Sequence, residues 1–181
     1  MIMLSIDPAL HGAGIAVWRD GELFAAEYVP NDSDSINTMQ RCVDLAEEVD
    51  ARLYALNIKP VDLFVCEIPQ IYPRGANKTK GDPNKIVIPL AMVNAAVAAR
   101  LVVQVVTYQP HSWKGTTSKP KNTKSGEYVI TTRVKSRLSE KELQAVDWTK
   151  SVSHSWDVAD AIGVGLVHLG RFERIRVFAR E

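Results

Sequence analysis

Apolar residues open the chain as one short run, 2–6, which meets Asp7-Pro8. It reads as a buried strand that stops at the proline, which cannot donate to a sheet ladder. Two more apolar runs, 12–18 and 23–29, flank Arg19-Asp20-Gly21-Glu22. Asp-Gly between apolar runs predicts a hairpin, because these residues accept the backbone of a tight turn. The period then changes. Ile36, Met39, Val43, Ala46, Val49, Leu53 and Leu56 recur at three- and four-residue intervals, which predicts a long amphipathic helix capped by Ser33 or Ser35. Residues 61–66 return to a strand pattern and deliver Glu67-Ile68-Pro69.

A stretch rich in Gly, Pro and Lys, 73–85, is a loop of the length that commonly carries function. Residues 89–101 are alanine-rich and predict a helix, and 102–108 a strand. After a polar loop over 109–125, helices are expected at 127–138 and 140–146, and a last strong one from Ser153 to a C-cap at Gly170. Three strands, helix, strand, helix, strand, then helices is an α/β order. It predicts a five-stranded mixed sheet flanked by helices, and 181 residues fit a single domain, 1–181.

Composition changes this picture little. The 46% hydrophobic and 24% charged content is that of a soluble globular chain. Cys42 and Cys66 show neither metal-ligand spacing nor a disulfide framework, so a reducing cytoplasm is expected. The first seven residues read as a strand and not as a leader. The most apolar stretch, 86–106, is interrupted by Pro89, Asn94, Arg100 and Gln104, so a helix followed by a strand is expected there and not a membrane span.

Charge changes it more. The formal net charge is +1, but residues 114–137 carry seven cations against Glu127 alone, and 74–85 carry four against Asp82. The rest of the chain is correspondingly acidic. This clustering suits a polyanion-binding face on an acidic body, although a single Lys-rich loop is equally well read as a solvated one.

Four carboxylates stand out by position. Asp7 ends the first strand and Glu67 the fourth, while Asp157 and Asp160 lie three apart in the last helix and so share a face with His154. Asp7 alone reads as a turn residue, and Asp157 alone as a first-turn acid favoured by the helix dipole. Asp160 sits between Ala159 and Ala161-Ile162-Gly163, and a carboxylate in such core-type sequence needs a partner. Carboxylates gathered around two hard cations form the two-metal arrangement for phosphodiester cleavage. The lack of a His/Cys ligand cluster argues against a zinc hydrolase.

Leu4 to Trp18, "LSIDPALHGAGIAVW", resembles the first motif of the RuvC-type Holliday junction resolvases, RNase H-like nucleases. "VDLFVCEIPQ" is similar to their second motif, "HSWDVADAIGVGLVHLG" to the closing one, and "YQPHSWKG" to phage-type members. The motifs follow one another in family order across most of the chain. The resemblance implies an RNase H-like endodeoxyribonuclease that makes paired nicks in four-way DNA junctions, with Asp7, Glu67, Asp157 and Asp160 as catalytic metal ligands. It implies Mg2+, with Mn2+ as an alternative, at two ions per site. A homodimer paired through the helix after Glu67 is implied, in the cytoplasm of a bacterium or phage-infected cell, with no membrane partner. It further implies DNA contacts from Lys114 and Lys119, and less directly from Lys121 and Lys124. The family's base-stacking aromatic after the catalytic Glu is displaced here: Tyr72 is either its equivalent or a packing residue. His154 is either a supplementary ligand or an ordinary first-turn histidine, and His168 a C-terminal charge or packing residue.

Other readings share parts of this pattern. A YqgF-type RNA-processing nuclease has the same acids, but Trp113-Lys114 and the long basic loop favour the resolvase. Actin-like kinases and ATPases also open with a strand ending in Asp, yet need two such domains. A nucleic-acid-binding protein of this fold without catalysis is opposed by the presence of all four acids.

Overall fold

The computed structural model describes residues 1–69, 87–115, 128–148 and 151–172. Five strands form one sheet in the order β3-β2-β1-β4-β5. These are β1 (Ile2–Ala9), β2 (Gly12–Arg19), β3 (Glu22–Pro30), β4 (Leu63–Glu67) and β5 (Gln104–Tyr108). The hairpin strands pair antiparallel, while β4 joins β1 and β5 joins β4 in parallel. Helices α1 (Thr38–Ala55) and α2 (Val87–Leu101) cover one face. The other face carries α4 (Val129–Lys135) and α6 (Val152–His168), with α3 (His111–Lys114) and α5 (Glu140–Gln144) as short turns beside them.

Strand alternation splits β1 between two cores. Leu4 and Ile6 pack towards α1 and α2, and Met3 towards α6. Leu4, Ile6, Phe64, Leu45 and Leu53 are all fully buried. Burial on both faces explains why the central strands read as continuous apolar runs.

Several boundaries differ from the sequence expectation. β1 does not stop at Pro8 but runs to Ala9. Beyond Ile6 it has left its pairing with β4 and continues only against β2, where a residue without an N–H is tolerated. The cap of α1 is Asn37, not Ser33 or Ser35: its Oδ1 accepts from the amides of Met39 (2.9 Å) and Gln40 (3.3 Å). Ile36 therefore precedes the helix and is exposed. Cys42, Leu45, Ala46, Val49 and Leu53 form the buried face, leaving Met39 and Val43 outside it.

The strand expected from Val102 begins at Gln104, because the chain turns at Val102 with φ of 49°. Within the polar loop, residues 111–114 form the turn α3. On α2, Val93 and Val97 belong to the chain's own core; the outward side carries Ile88, Ala91, Ala95 and Ala99. No described helix is long and apolar enough to cross a membrane.

Candidate active site

Alternation along the strands selects the side on which the acids meet. Met3 and Ser5 face α6, so Asp7, two residues on, does too; Leu63 and Val65 place Glu67 on that same face of β4. Because Ile6 pairs with Cys66, Asp7 and Glu67 are the next residue of each strand, Glu67 at the end of β4 and Asp7 where β1 parts from β4 and runs on to Ala9. A helix must come close to reach them. Ser5 Oγ donates to the Ala161 carbonyl at 2.8 Å and accepts from Trp18 Nε1 at 2.9 Å, tying α6 to β1 and β2. Gly14, the register partner of Asp7, lies under the Asp157 backbone; a Cβ there would stand 2.1 Å from its carbonyl oxygen. Only glycine admits this approach, and it brings the first turns of α6 over the strand ends.

Glu67 is buried, and its carboxylate is fully engaged. Trp113 Nε1 donates to Oε1 at 2.8 Å, while Lys114 Nζ lies 2.9 Å from Oε1 and 3.1 Å from Oε2. Both donors come from α3, whose turn closes through the Lys114 amide to the Pro110 carbonyl at 2.8 Å. Gly115 follows with φ of 64° and ends the turn. Trp113 fits because Gly163 leaves room for its ring: a Cβ there would meet the ring at 2.4 Å. Across the site, Lys114 Nζ stands 3.0 Å from Asp160 Oδ2, and the Tyr128 hydroxyl donates to Oδ1 at 2.7 Å. The partner that buried Asp160 required is therefore an ammonium and a phenol.

Burial pushes the Glu67 carboxyl above the ordinary carboxylate range. The Lys114 ammonium opposes that push, and the negative charges of Asp7 and Asp160 add to it. For Lys114, burial works against the charge, but Asp160, Asp7 and Glu67 outweigh it and hold the ammonium well above its usual value. Carboxylates are the donors that hard divalent ions prefer. As arranged, Glu67 and Asp160 do not fit such an ion between them. Among the described residues no three His, Cys, Asp or Glu side chains form a metal-holding group, and Lys114 Nζ takes the point between Glu67 and Asp160.

The structure thus brings Asp7, Glu67 and Asp160 together, with the Asp157 backbone on the neighbouring strand. Lys114, expected to contact DNA close to the acids, lies among them, nine-tenths buried. His154 stacks on Tyr28 with ring centroids 3.7 Å apart and planes within 3°. His168 meets the Tyr108 hydroxyl through Nδ1 at 3.2 Å, in keeping with a packing role. Tyr72, Lys119, Lys121 and Lys124 lie outside the described residues. Sequence reasoning missed Trp113 and Tyr128 as site residues. Trp113 carries the signal of an aromatic next to a lysine after a strand; nothing in the pattern around Tyr128 points to Asp160.

A five-stranded mixed sheet in this order flanked by helices, with acids on its two adjacent central strands, is the RNase H-like fold. The chain is similar to Thermus thermophilus RuvC in complex with a Holliday junction substrate, at a TM-score of 0.58 and 17% identity, covering 97% of this chain and 99% of that one. It is likewise similar to a second Thermus thermophilus RuvC structure, with a TM-score of 0.52, 17% identity and coverage of 97% and 100%. The human cytomegalovirus terminase nuclease domain, Mn soaked, matches at a TM-score of 0.45 and 11% identity, over 95% of this chain and 86% of that one. The chain matches no protein-family model and no curated protein.

Proposed function

We propose that this chain is a divalent-cation-dependent endonuclease that recognises four-way DNA junctions and cuts them by phosphodiester hydrolysis. The observation that carries the reading is the meeting of Asp7, Glu67 and Asp160 around a buried ammonium, where two central strands part under α6. So many charges in a buried place carry a cost that a core alone does not demand, and such clusters mark functional sites. Carboxylates so placed can hold and deprotonate a water or bind a cation. The junction as substrate is supported by the sequence motifs and by the similarity to a RuvC structure that holds one. In this reading residues 1–181 form one nuclease domain, Asp7, Glu67, Asp157 and Asp160 are the catalytic acids, and Mg2+ or Mn2+ is the cation. Lys119, Lys121, Lys124 and Tyr72 touch DNA, and the chain works as a cytoplasmic homodimer. The segment 108–115 favours the phage-type form of the family.

The test is incubation with labelled four-way junction, duplex, flap and RNA–DNA hybrid, with Mg2+ and with chelator. The expected result is junction cleavage that chelator stops and that Asp7→Asn abolishes while junction binding survives. Preference for the flap or the hybrid would assign another nuclease activity to this fold. Full activity in Asp7→Asn would remove the acids from the chemistry.

A further inference from the structure

We infer that Lys114 is a resident cation of the acidic cluster, occupying one of its two cation positions, so that each site takes at most one divalent ion. The inference rests on the reading of the four acids as a cation-binding group, but it departs from the two ions that the sequence motifs imply.

The geometry is that of a cation site already filled. Nζ lies 2.9 and 3.1 Å from the two Glu67 oxygens and 3.0 Å from Asp160 Oδ2. An ammonium has three donors, and three carboxylate oxygens from two elements surround this one. The remaining oxygen, Asp160 Oδ1, accepts from Tyr128, and Glu67 Oε1 also accepts from Trp113. Three of the four oxygens of the Glu67–Asp160 pair thus have a hydrogen-bond donor without any metal, and the fourth, Asp160 Oδ2, is held by the charge of the ammonium.

The arrangement is built and not incidental. Trp113 lies between Gly163 and Glu67, and Lys114 Nζ lies 4.9 Å from the centroid of the Trp113 ring. Phe172 packs edge-on against that ring at 5.6 Å. The short turn that delivers Lys114 is therefore held from both sides. A divalent ion bridging Glu67 and Asp160 would need oxygens about 2.0–2.6 Å away. It cannot share that point with an ammonium, because like charges at such range in a buried place repel strongly.

Two consequences separate Lys114 from a merely structural lysine. Without metal, the ammonium keeps two buried carboxylates together. Lys114→Met then leaves like charges unpaired and lowers Tm in chelator by about 10 °C. With metal, the same substitution opens the second position.

The experiment counts bound Mn2+ by calorimetry on the full chain, with Tm recorded in chelator and in Mn2+. The expected result is one ion, or none, per wild-type chain and one more in Lys114→Met, whose Tm loss Mn2+ reverses. Lys114→Arg, which keeps the charge, should retain the wild-type count. Two ions in the wild type would overturn the inference, and so would equal counts in wild type and Lys114→Met. If Lys114→Met does not fold, the wild-type and Lys114→Arg counts decide: at most one ion in each supports the inference, and two in either overturns it. The readout is independent of cleavage. A chain inert on every nucleic acid can still show this count, and an active nuclease can still bind two ions.

Discussion

At Glu142 a single side chain joins three parts of the molecule. Its Oε1 accepts from the Leu23 amide at 3.0 Å, and its Oε2 from the Ser139 amide at 2.9 Å, completing a capping box on α5. Arg171 grips both oxygens, at 2.6 and 2.7 Å. The Arg171 hydrogen bonds hold this carboxyl down at about 2, against an ordinary 4.5, although burial opposes them. A depressed carboxyl contributes stability above its unfolded pKa and loses it as pH falls through the folded one. The shift corresponds to about 3 kcal/mol. Glu142→Gln should therefore unfold more readily at pH 7 by about that amount, and the gap to wild type should close between pH 4.5 and 2. Denaturant unfolding across that range measures it; an equal gap at pH 2 would assign the effect to shape instead of charge. In the sequence Glu142 is one acid among 21, and only folding brings Arg171 to it.

Helix α6 owes its place to missing side chains. Gly14 admits the Asp157 backbone, Gly163 the Trp113 ring and Gly165 the Trp18 indole, each at a separation no Cβ would tolerate. Gly14→Ala sets a methyl 2.1 Å from a backbone oxygen, so the start of α6 or the strand beneath it must move. A cost of about 1–3 kcal/mol is expected, read as a fall of several degrees in Tm. Because Asp157 rides on the displaced turn, the proposed cleavage should fall further than stability does. Unchanged Tm and unchanged rate together would show that α6 does not sit on Gly14. The hairpin glycine at position 21 has nothing within 4 Å; its role is the left-handed turn that the Asp-Gly pattern already announced.

Taken whole, the molecule keeps Asp7, Glu67 and Asp160 on the α6 face and turns the outer side of α2 to solvent on the other. Ile88, Ala91, Ala95 and Ala99 line that outer side. A junction has near two-fold symmetry, and a two-fold pair of subunits meets it with one repeated interface. The proposed dimer uses this surface. Ala95→Arg should halve the mass seen by light scattering with little change in Tm. It should also convert paired cuts in a supercoiled cruciform into single nicks. A wild-type chain that is monomeric at micromolar concentration would count against the dimer.

The sequence by itself determined the order of the strands and long helices, the hairpin at Asp20-Gly21 and Glu67 as the acid that ends the fourth strand, whereas Asp7 lies within β1, which runs on to Ala9. Those are local properties: apolar period, turn chemistry and position within an element. It also marked Asp160 as needing a partner, because a carboxylate among alanines and glycines has no solvent to serve it. It did not determine which faces are inward. Met39 and Val43 keep the helical period of α1 yet lie outside, since the face is chosen by the sheet it packs on and by the Asn37 cap that starts it. Nor did it determine where a long side chain points. Lys114 sits in a run of lysines and looks like its neighbours, and only the tertiary structure turns it inward. Glu67 and Asp160 are distant from it along the chain, and their combined charge at that point exists only once β4, α3 and α6 have packed together.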